Sequence, residues 1–335
     1  PTAMFAMGFN NNNNSIVLAE YDLTQLPASV NPNPVNQNNI AGTGILDFKA
    51  LNVLDRIVYC YEEGQRLYLG GYDLSMGTWD TEIFLDPQTP GELTRVSLAK
   101  DDENFLYLAY NFLEYGSGEN RIFVHRSINA GDFTGGVHPA HDVTFASSLG
   151  SYATVLAVTG SNMMSDLYVS ILYIGPDPGF RAIECVTEFN GDWTTSGFSP
   201  QNLPSVINDD PSSMISFASD EFDAKYVGDN KNLHVVWADN RTMSYTDLYG
   251  DISYNYGASW ATDQVLLQVN ENIIEGPHIT LGNGSADMAI SYIREDGAYI
   301  SPFTLVSMPE FYDPCDSDPM IYWDEAVGVY VDYMR

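Results

Sequence analysis

Hydrophobic and aromatic residues alternate with polar residues in short runs along most of the chain. A run such as Met4–Phe9 is followed by a polar turn, a second alternating run and a Gly-x-aromatic turn. Alternation with a period of two residues predicts β-strands that bury one face. No comparably long stretch has the 3.6-residue period of a helix, so the pattern predicts an all-β protein.

This pair of runs recurs six times, at intervals of 49 to 66 residues. The first strands begin at Met4, Ile57, Leu106, Leu167, Leu233 and Met288. An outer strand such as Thr81–Leu85 and an inner strand such as Leu93–Leu98 complete the repeating unit. Near-equal units of four short strands are typical of sheets arranged around an axis. We therefore predict one domain over residues 1–335, a six-bladed β-propeller of four-stranded antiparallel blades.

The C-terminal run Val327–Tyr333 also alternates. We expect it to supply the inner strand of the first blade, which would close the ring and leave no free edge there. A short seventh blade over Ile321–Tyr333 is the alternative. The Asn- and Pro-rich segments Asn10–Asn14 and Asn31–Asn39 are predicted to be extended surface loops or arms.

One turn of the fifth unit carries a family resemblance. Ser253-Tyr254-Asn255-Tyr256-Gly257-Ala258-Ser259-Trp260 resembles the S-x-D-x-G-x-x-W turn, or Asp-box, of sialidase-like BNR-repeat propellers, with Asn255 in the place of the Asp. Shorter forms begin at Asp73 and Ser127, and a remnant is present at Asn190–Trp193. In that family the turn lies on the face opposite the ligand site, so the resemblance implies a fold rather than a chemistry.

The same resemblance implies what a sialidase would need: three arginines around one carboxylate, a Tyr–Glu nucleophile pair and an Asp acid/base. The chain has no Arg-Ile-Pro signature near its start and no recognisable Tyr–Glu pairing. Asp239 and Glu295 are the candidate catalytic acids if hydrolysis is retained.

The charge is strongly negative. Thirteen basic residues stand against 45 acidic ones, which gives a net charge of −32. Such a surface repels nucleic acid and anionic lipid but attracts divalent cations. No run approaches the ~18 apolar residues of a membrane helix, so membrane insertion is not expected. We expect an extracellular or cell-surface location.

Arginines recur at one place in the repeat. Five of them fall in or just after the turn that follows the first strand of a unit: Arg66, Arg121, Arg181, Arg241 and Arg294. Such a ring could bind a carboxylate or sulfate through bidentate hydrogen bonds. Acidic residues occupy the same turns, so local Arg–carboxylate pairs would explain the pattern equally well.

Calcium is the one cofactor that the sequence favours, because it binds clustered carboxylate oxygens. Asp313, Asp316 and Asp318 have suitable spacing, as do Asp101, Asp102 and Glu103. Cys60 and Cys185 lie in apolar strand patterns and are predicted to be buried thiols, whereas Cys315 is predicted to be exposed.

Two classes of function fit these observations. The first is a non-catalytic extracellular recognition or structural module, including a self-assembling subunit of a surface layer or filament. The second is a glycan-directed protein, either a sialidase-like hydrolase or a binder of anionic glycans. Partners are therefore expected to be other copies of the chain, extracellular proteins or glycans.

Overall fold

A computed structural model describes most of the chain between residues 3 and 304. The described residues are 3–10, 15–22, 33–39, 45–86, 91–118, 120–143, 154–161, 163–175, 182–195, 199–200, 203–215, 222–227, 232–242, 245–271, 273–281, 287–294 and 297–304. They are divided between two compact units. The first unit is Pro1–Asp177 with Ile183–Pro204, and the second is Pro178–Ala182 with Ser205–Arg335.

The first unit contains fifteen strands within its described residues. They are β1 (Ala3–Asn10), β2 (Ser15–Asp22), β3 (Asn33–Asn39), β4 (Ile45–Val53), β5 (Arg56–Glu63), β6 (Arg66–Asp73), β7 (Thr78–Trp79), β8 (Ile83–Leu85), β9 (Gly91–Lys100), β10 (Phe105–Glu114), β11 (Asn120–Ala130), β12 (His141–Asp142), β13 (Thr154–Thr159), β14 (Tyr168–Ile174) and β15 (Ile183–Phe189). They form antiparallel sheets in the orders β1-β2-β3, β4-β5-β6-β7 with β8 also beside β6, and β9-β10-β11-β12, while β13, β14 and β15 pair in turn.

The second unit contains eight strands within its described residues. They are β16 (Ser205–Val206), β17 (Phe222–Val227), β18 (Asn232–Asp239), β19 (Thr246–Ser253), β20 (Gln264–Glu271), β21 (Ile273–Leu281), β22 (Asp287–Arg294) and β23 (Gly297–Thr304). Strands β17 to β20 form one antiparallel sheet and β21 to β23 another.

The prediction of an all-β protein with four-stranded antiparallel sheets is confirmed. No helix long and apolar enough to cross a membrane occurs in the parts of the chain just described. The closing strand Val327–Tyr333 and the alternative blade Ile321–Tyr333 lie outside the described residues.

One sequence expectation is wrong. Asn33–Asn39, within the segment expected to be a loop or arm, forms the strand β3 and pairs with β2. Pro34 lies opposite Ala19, where the register shifts, and β3 is at the edge of its sheet. An edge strand tolerates a proline because its outward N–H positions need no partner. The polar composition of the segment therefore did not prevent strand pairing.

Alternate residues of single strands hold neighbouring sheets together. In β10, Leu106 and Leu108 pack into a cluster with residues of β5 and β6, such as Val58 and Leu69. On the opposite face of β10, residues such as Tyr107 pack with residues of β13 to β15. Each fully buried aliphatic side chain contributes about 1.5–3 kcal/mol, so these clusters are the main source of stability of the first unit.

The second unit repeats this arrangement. Val236 and Ala238 of β18 and Leu248 of β19 pack against Ile279 of β21 and Ile290 of β22. The cluster therefore joins the sheet β17–β20 to the sheet β21–β23. The opposite face of β18 and β19 carries aromatic and acidic residues, which the next subsection describes.

The turn after β19 is closed by its own side chains. Ser253 Oγ accepts the Gly257 N–H at 2.8 Å, and Asn255 Oδ1 accepts the Ser259 N–H at 2.9 Å. Gly257 has a φ of 82°, a value that an L side chain rarely adopts. Trp260 Nε1 donates to Ser205 Oγ at 3.0 Å, which connects the turn to β16.

The three related turns share this construction. Each combines a polar side chain that hydrogen-bonds within the turn with an aromatic residue that packs against the sheet. The aromatic residues are Trp79, which lies edge-on to Tyr72 with ring centroids 4.9 Å apart, and the buried Phe133 and Trp193. A small polar turn that anchors an aromatic side chain is therefore a recurring structural motif of the first unit.

Gly160 provides a test of the turn between β13 and β14. Its φ is +83°, and a Cβ at this position would lie 1.9 Å from the Asp166 carbonyl oxygen. Because the obstacle is backbone, we expect Gly160→Ala to destabilise the first unit by at least about 2 kcal/mol. Urea unfolding measures the change.

The matched control is Gly116→Ala, since no atom lies within 4 Å of the Cβ that this substitution adds. We expect it to leave the unfolding midpoint nearly unchanged. Equal midpoints for the two variants would contradict the steric argument.

Candidate functional site

The arginines that follow the second strand of a sheet contact the outer strand of the same sheet. Three pairs have this geometry, and the partners are 20 to 22 residues apart in sequence. They are Arg66 Nε–Asp86 at 3.0 Å, Arg121 Nη1–Asp142 at 3.3 Å and Arg241 Nη2–Asp263 at 2.8 Å. Each guanidinium group is therefore directed towards the outer edge of its own sheet.

These pairs show where the predicted ligand-binding arginines lie. Arg66 and Arg121 belong to the first unit, and Arg241 and Arg294 belong to the second. Arg294 ends β22, while Arg181 lies outside the described residues. The arginine ring as an anion site stays a prediction, and an anion would have to compete with these carboxylates.

Asp239 and Arg241 are the two predicted site residues that the structure brings together. The Asp239 side chain is fully buried. Its oxygens accept hydrogen bonds from Ser213 Oγ at 2.7 Å, from Trp237 Nε1 at 3.0 Å and from Arg241 Nη2 at 2.6 Å. They also accept the backbone N–H groups of Met214 and Arg241. Burial alone would raise the pKa of Asp239, but these donors hold it below its ordinary value.

A carboxylate with five donors remains an anion at neutral pH and offers no proton to a substrate. Asp239 instead anchors the segment before β17, through Ser213 and Met214, to the end of β18. The other candidate acid, Glu295, lies outside the described residues.

Arg241 is the only cation among the groups that contact Asp239 in the described residues. Besides Asp239 and Asp263, it binds Asp210 through Nη1 at 3.0 Å. Its guanidinium carbon lies 3.9 Å from the centroid of the Tyr249 ring. Burial opposes the charge on Arg241, but the hydrogen bonds that it donates to Asp239 and Asp263 raise its pKa. We call Arg241 with its three aspartates the Arg241 cluster.

A second constellation lies at the turn between β5 and β6 and was not found by sequence reasoning. The rings of Tyr61 and Tyr68 stack with centroids 5.0 Å apart, and Tyr68 meets Phe84 at 6.3 Å. The Arg66 guanidinium lies 5.0 Å from the Phe84 ring. Tyr61 is buried, whereas Phe84 is 54% exposed, so the row of rings runs from the interior to the surface.

The neighbouring turn, between β10 and β11, adds a further exposed ring. Tyr115 is 57% exposed, and its hydroxyl oxygen lies 3.5 Å from Gln65 Nε2. We call Gln65, Arg66, Tyr68, Phe84 and Tyr115 the aromatic–arginine surface. The alternation of aromatic residues along β5 and β6 was a signal in the sequence, but the partner rings come from β8 and from another sheet.

The acidic turn proposed as a calcium site is occupied by protein donors. Asp101 Oδ1 accepts the Glu103 and Phe105 N–H groups, and its Oδ2 accepts the Tyr107 hydroxyl at 3.2 Å. Asp102 accepts the Gly160 N–H, and Glu103 accepts the Ser161 hydroxyl. These acids therefore bind the turn between β13 and β14.

Within the described residues, no group of three or more His, Cys, Asp or Glu side chains is placed to hold a metal ion. The proposed ligands Asp313, Asp316 and Asp318, together with Cys315, lie outside those residues. Cys60 and Cys185 are buried thiols, as the sequence predicts. Burial raises the pKa of Cys185 to about 12, so it is not a reactive thiolate at neutral pH.

The sequence matches no family model and no curated protein. Solved structures are similar to it in fold, and two of them have TM-scores above 0.5. An α-L-arabinofuranosidase of Fusarium graminearum, solved with arabinobiose, aligns with a TM-score of 0.58 and 9% identity over 91% of this chain and 90% of its own. A six-bladed β-propeller lectin of Aleuria aurantia with fucose recognition aligns with a TM-score of 0.52 and 11% identity, over 90% of this chain and 86% of its own.

A Hadza microbial sialidase aligns with a TM-score of 0.49 and 9% identity, over 87% of this chain and 64% of its own. That likeness is too distant to favour sialidase chemistry. The fold of the chain is therefore similar to that of a six-bladed β-propeller lectin and of a glycosidase.

Removal of the Arg241 side chain should destabilise the second unit. In Arg241→Met, Asp239 and Asp263 stay buried without their cation, which costs about 3–5 kcal/mol. The unfolding free energy from urea titration measures this loss.

Arg66→Met is the matched control, because Arg66 and Asp86 are both about half exposed. Water solvates such a pair, so its removal should not change the unfolding free energy measurably. A similar loss of unfolding free energy in both variants would show that burial does not determine how much these arginines contribute to stability.

Proposed function

We propose that the chain is an extracellular, non-catalytic glycan-recognition module, built as a six-bladed β-propeller that its C-terminal strand closes. The six repeats in the sequence and the likeness to a six-bladed lectin support this architecture. The similar structures include a lectin with fucose recognition and an α-L-arabinofuranosidase solved with arabinobiose, which makes neutral saccharides the first ligand class to test.

The aromatic–arginine surface is the observation that carries the proposal. An exposed aromatic ring offers an apolar face on which the C–H groups of a sugar ring can pack, and the Tyr115 hydroxyl and Gln65 amide offer hydrogen bonds to its hydroxyl groups. Phe84 in β8 and Tyr115 in the turn between β10 and β11 provide such rings.

Local charge favours a neutral ligand. Asp86 is ion-paired with Arg66 at 3.0 Å, so the charges beside Phe84 compensate each other. The rest of the chain is acidic, with a net charge of −32, and repels anionic glycans at long range. A neutral saccharide avoids this repulsion, whereas an anionic glycan would need the arginines to leave their carboxylates.

The spacing of Asp239 and Asp251 in the second unit does not favour hydrolysis. Asp239 and Asp251 are the described carboxyl groups whose pKa values differ most clearly within one sheet face. Asp239 lies opposite Asp247, which precedes Asp251 by four residues in β19. Four residues of strand span about 13 Å, whereas the paired carboxyl groups of glycosidases lie about 5–10 Å apart.

A glycoside hydrolase is the second candidate, because the α-L-arabinofuranosidase is similar in fold over 91% of this chain. Release of sugar from arabinosides, fucosides or sialosides by the purified protein would establish it. Secretion, calcium binding and self-assembly into a layer or filament remain proposals from the sequence alone.

Substitution of the exposed rings tests glycan recognition. We expect Phe84→Ala and Tyr115→Ala each to weaken saccharide binding by roughly 10-fold, since a lost ring contact is worth about 0.5–1.5 kcal/mol beyond its area. A glycan array followed by isothermal titration with the best ligand measures the change.

Tyr254→Ala is the matched control. Tyr254 is equally exposed but lies in the turn after β19, between the third and fourth strands of its sheet. Binding that survives the Phe84 and Tyr115 substitutions but is lost with Tyr254 would move the site to that other kind of turn. An array without any signal, together with sugar release, would replace recognition by hydrolysis.

A further inference from the structure

Two buried carboxyl groups lie opposite each other where β19 meets the start of β20. Gly250 pairs with Gln264 in the antiparallel register. Continuing this register by one residue places Asp251 of β19 opposite Asp263, which immediately precedes β20. Opposite residues of an antiparallel pair have Cβ atoms about 4.5–5.5 Å apart, which brings the two carboxyl groups within reach of each other.

Each of these groups has one oxygen without a partner. Asp251 Oδ1 accepts the Ile252 N–H at 2.7 Å, and Asp263 Oδ2 accepts Arg241 Nη2 at 2.8 Å. Among the described residues, Asp251 Oδ2 and Asp263 Oδ1 have no hydrogen-bond partner, and both are inaccessible to water. Asp251 is 4% exposed and the Asp263 side chain is 2% exposed. Two buried oxygens without donors are costly unless a proton lies between them.

The surroundings of Asp251 are negative. Asp263 faces it from the start of β20, and Asp209 faces it from the segment before β17. On β18 the residue opposite Asp251 is Val235, which carries no charge. Arg241 binds Asp263, but its guanidinium is already shared among Asp210, Asp239 and Asp263.

Burial and the neighbouring negative charges both raise the pKa values of Asp251 and Asp263. Burial raises the pKa of Asp251 to about 7. The Ile252 and Ala261 N–H groups oppose this rise, and the charges of Asp263 and Asp209 add to it. Burial also raises the pKa of Asp263, although Arg241 opposes the rise. Burial, the two oxygens without donors and the neighbouring negative charges therefore favour fewer than two negative charges on the pair.

We propose that Asp251 and Asp263 share one proton at mildly acidic pH. The second unit then contains a pH-sensitive contact between β19 and the start of β20, which weakens as the pH rises to neutrality. The proton is bound to Asp251 Oδ2 and is donated to Asp263 Oδ1. Its loss places two like charges in a buried strand pair and leaves Arg241 as their only described counter-ion. The pair then holds the start of β20 against β19 less tightly.

The sign of the pH dependence follows from the direction of the shift. The ordinary pKa of an Asp carboxyl is 3.8, and that of Asp251 in the folded chain is about 7. The stabilising contribution is therefore complete below pH 3.8, declines as the pH rises, and is lost once the pH passes 7. Within that window the folding equilibrium constant falls by up to about tenfold per pH unit.

Asp251→Asn provides the test, because the amide keeps an oxygen for the Ile252 N–H and offers an N–H in place of the shared proton. We expect the ratio of the wild-type to the variant unfolding constant to rise roughly 100-fold between pH 5 and pH 8, at about tenfold per pH unit up to neutrality. Urea unfolding of both proteins at several pH values measures this ratio. A ratio that does not change with pH would overturn the proposal.

Asp247→Asn is the matched control. It is the same substitution four residues earlier in β19, and it leaves the Asp251–Asp263 pair intact. We expect this variant to keep the pH dependence that Asp251→Asn removes. If both variants remove it, the shared proton is not its cause.

Infrared difference spectra give a direct measurement that does not depend on variant stability. The carbonyl band of a protonated carboxyl group should be present in the wild-type protein at pH 5.5 and disappear as the pH rises through about 7. Glu188, whose pKa burial also raises to about 7, contributes a similar band, so the band missing from Asp251→Asn is the relevant one. If the spectra of Asp251→Asn and of the wild-type protein show the same carboxyl bands, the proposal is overturned.

A cation could take the place of the proton. If calcium ions at pH 8 raise the unfolding midpoint of the wild-type protein but not that of Asp251→Asn, the pair is a cation site and proton sharing is wrong. If calcium affects both proteins equally, that result supports the shared proton.

Discussion

The structure depends on the packing of whole sheets face to face through alternate residues of the same strand. β10 shows the constraint most clearly, because Leu106 and Leu108 belong to one apolar cluster while Tyr107 and Ala109 belong to the next. Both faces of the strand are buried, so neither can tolerate a polar residue without a partner. Variation is possible only at the strand ends, and the turns accordingly carry the exposed aromatic, arginine and acidic groups.

The excess of acid is the second constraint, because many of the 45 acidic residues must fold with only 13 basic ones available. The described residues show three ways of accommodating them. Asp239 is neutralised by the buried Arg241. Asp192 is held by hydroxyl and backbone donors of its turn, which lower its pKa to about 2. Asp251 and Glu188 have pKa values near 7, so burial keeps them partly protonated.

These arrangements distinguish carboxylates that have a structural role from side chains that are accessible to a ligand. The carboxylates with many donors bind segments to one another and leave no access for a substrate. The aromatic–arginine surface is different, because more than half of Phe84 and of Tyr115 is exposed to solvent. In the Arg66–Asp86 pair, both partners are about half exposed, and water or a ligand can replace either contact. Recognition is therefore more compatible with this surface than with the buried acids.

The sequence by itself determined the strand periodicity, the all-β class, the repeating unit and the buried thiols Cys60 and Cys185. These features follow from the local alternation of residues, which reports which face of a strand is buried. It also identified Asp239 and Arg241, because both lie at the end of a strong strand pattern. It did not determine that they bind each other, or that Asn33–Asn39 pairs as an edge strand. Only the tertiary structure placed Phe84 beside Tyr68 and Asp263 beside Arg241. These contacts depend on strand register, and register joins residues that are distant in sequence.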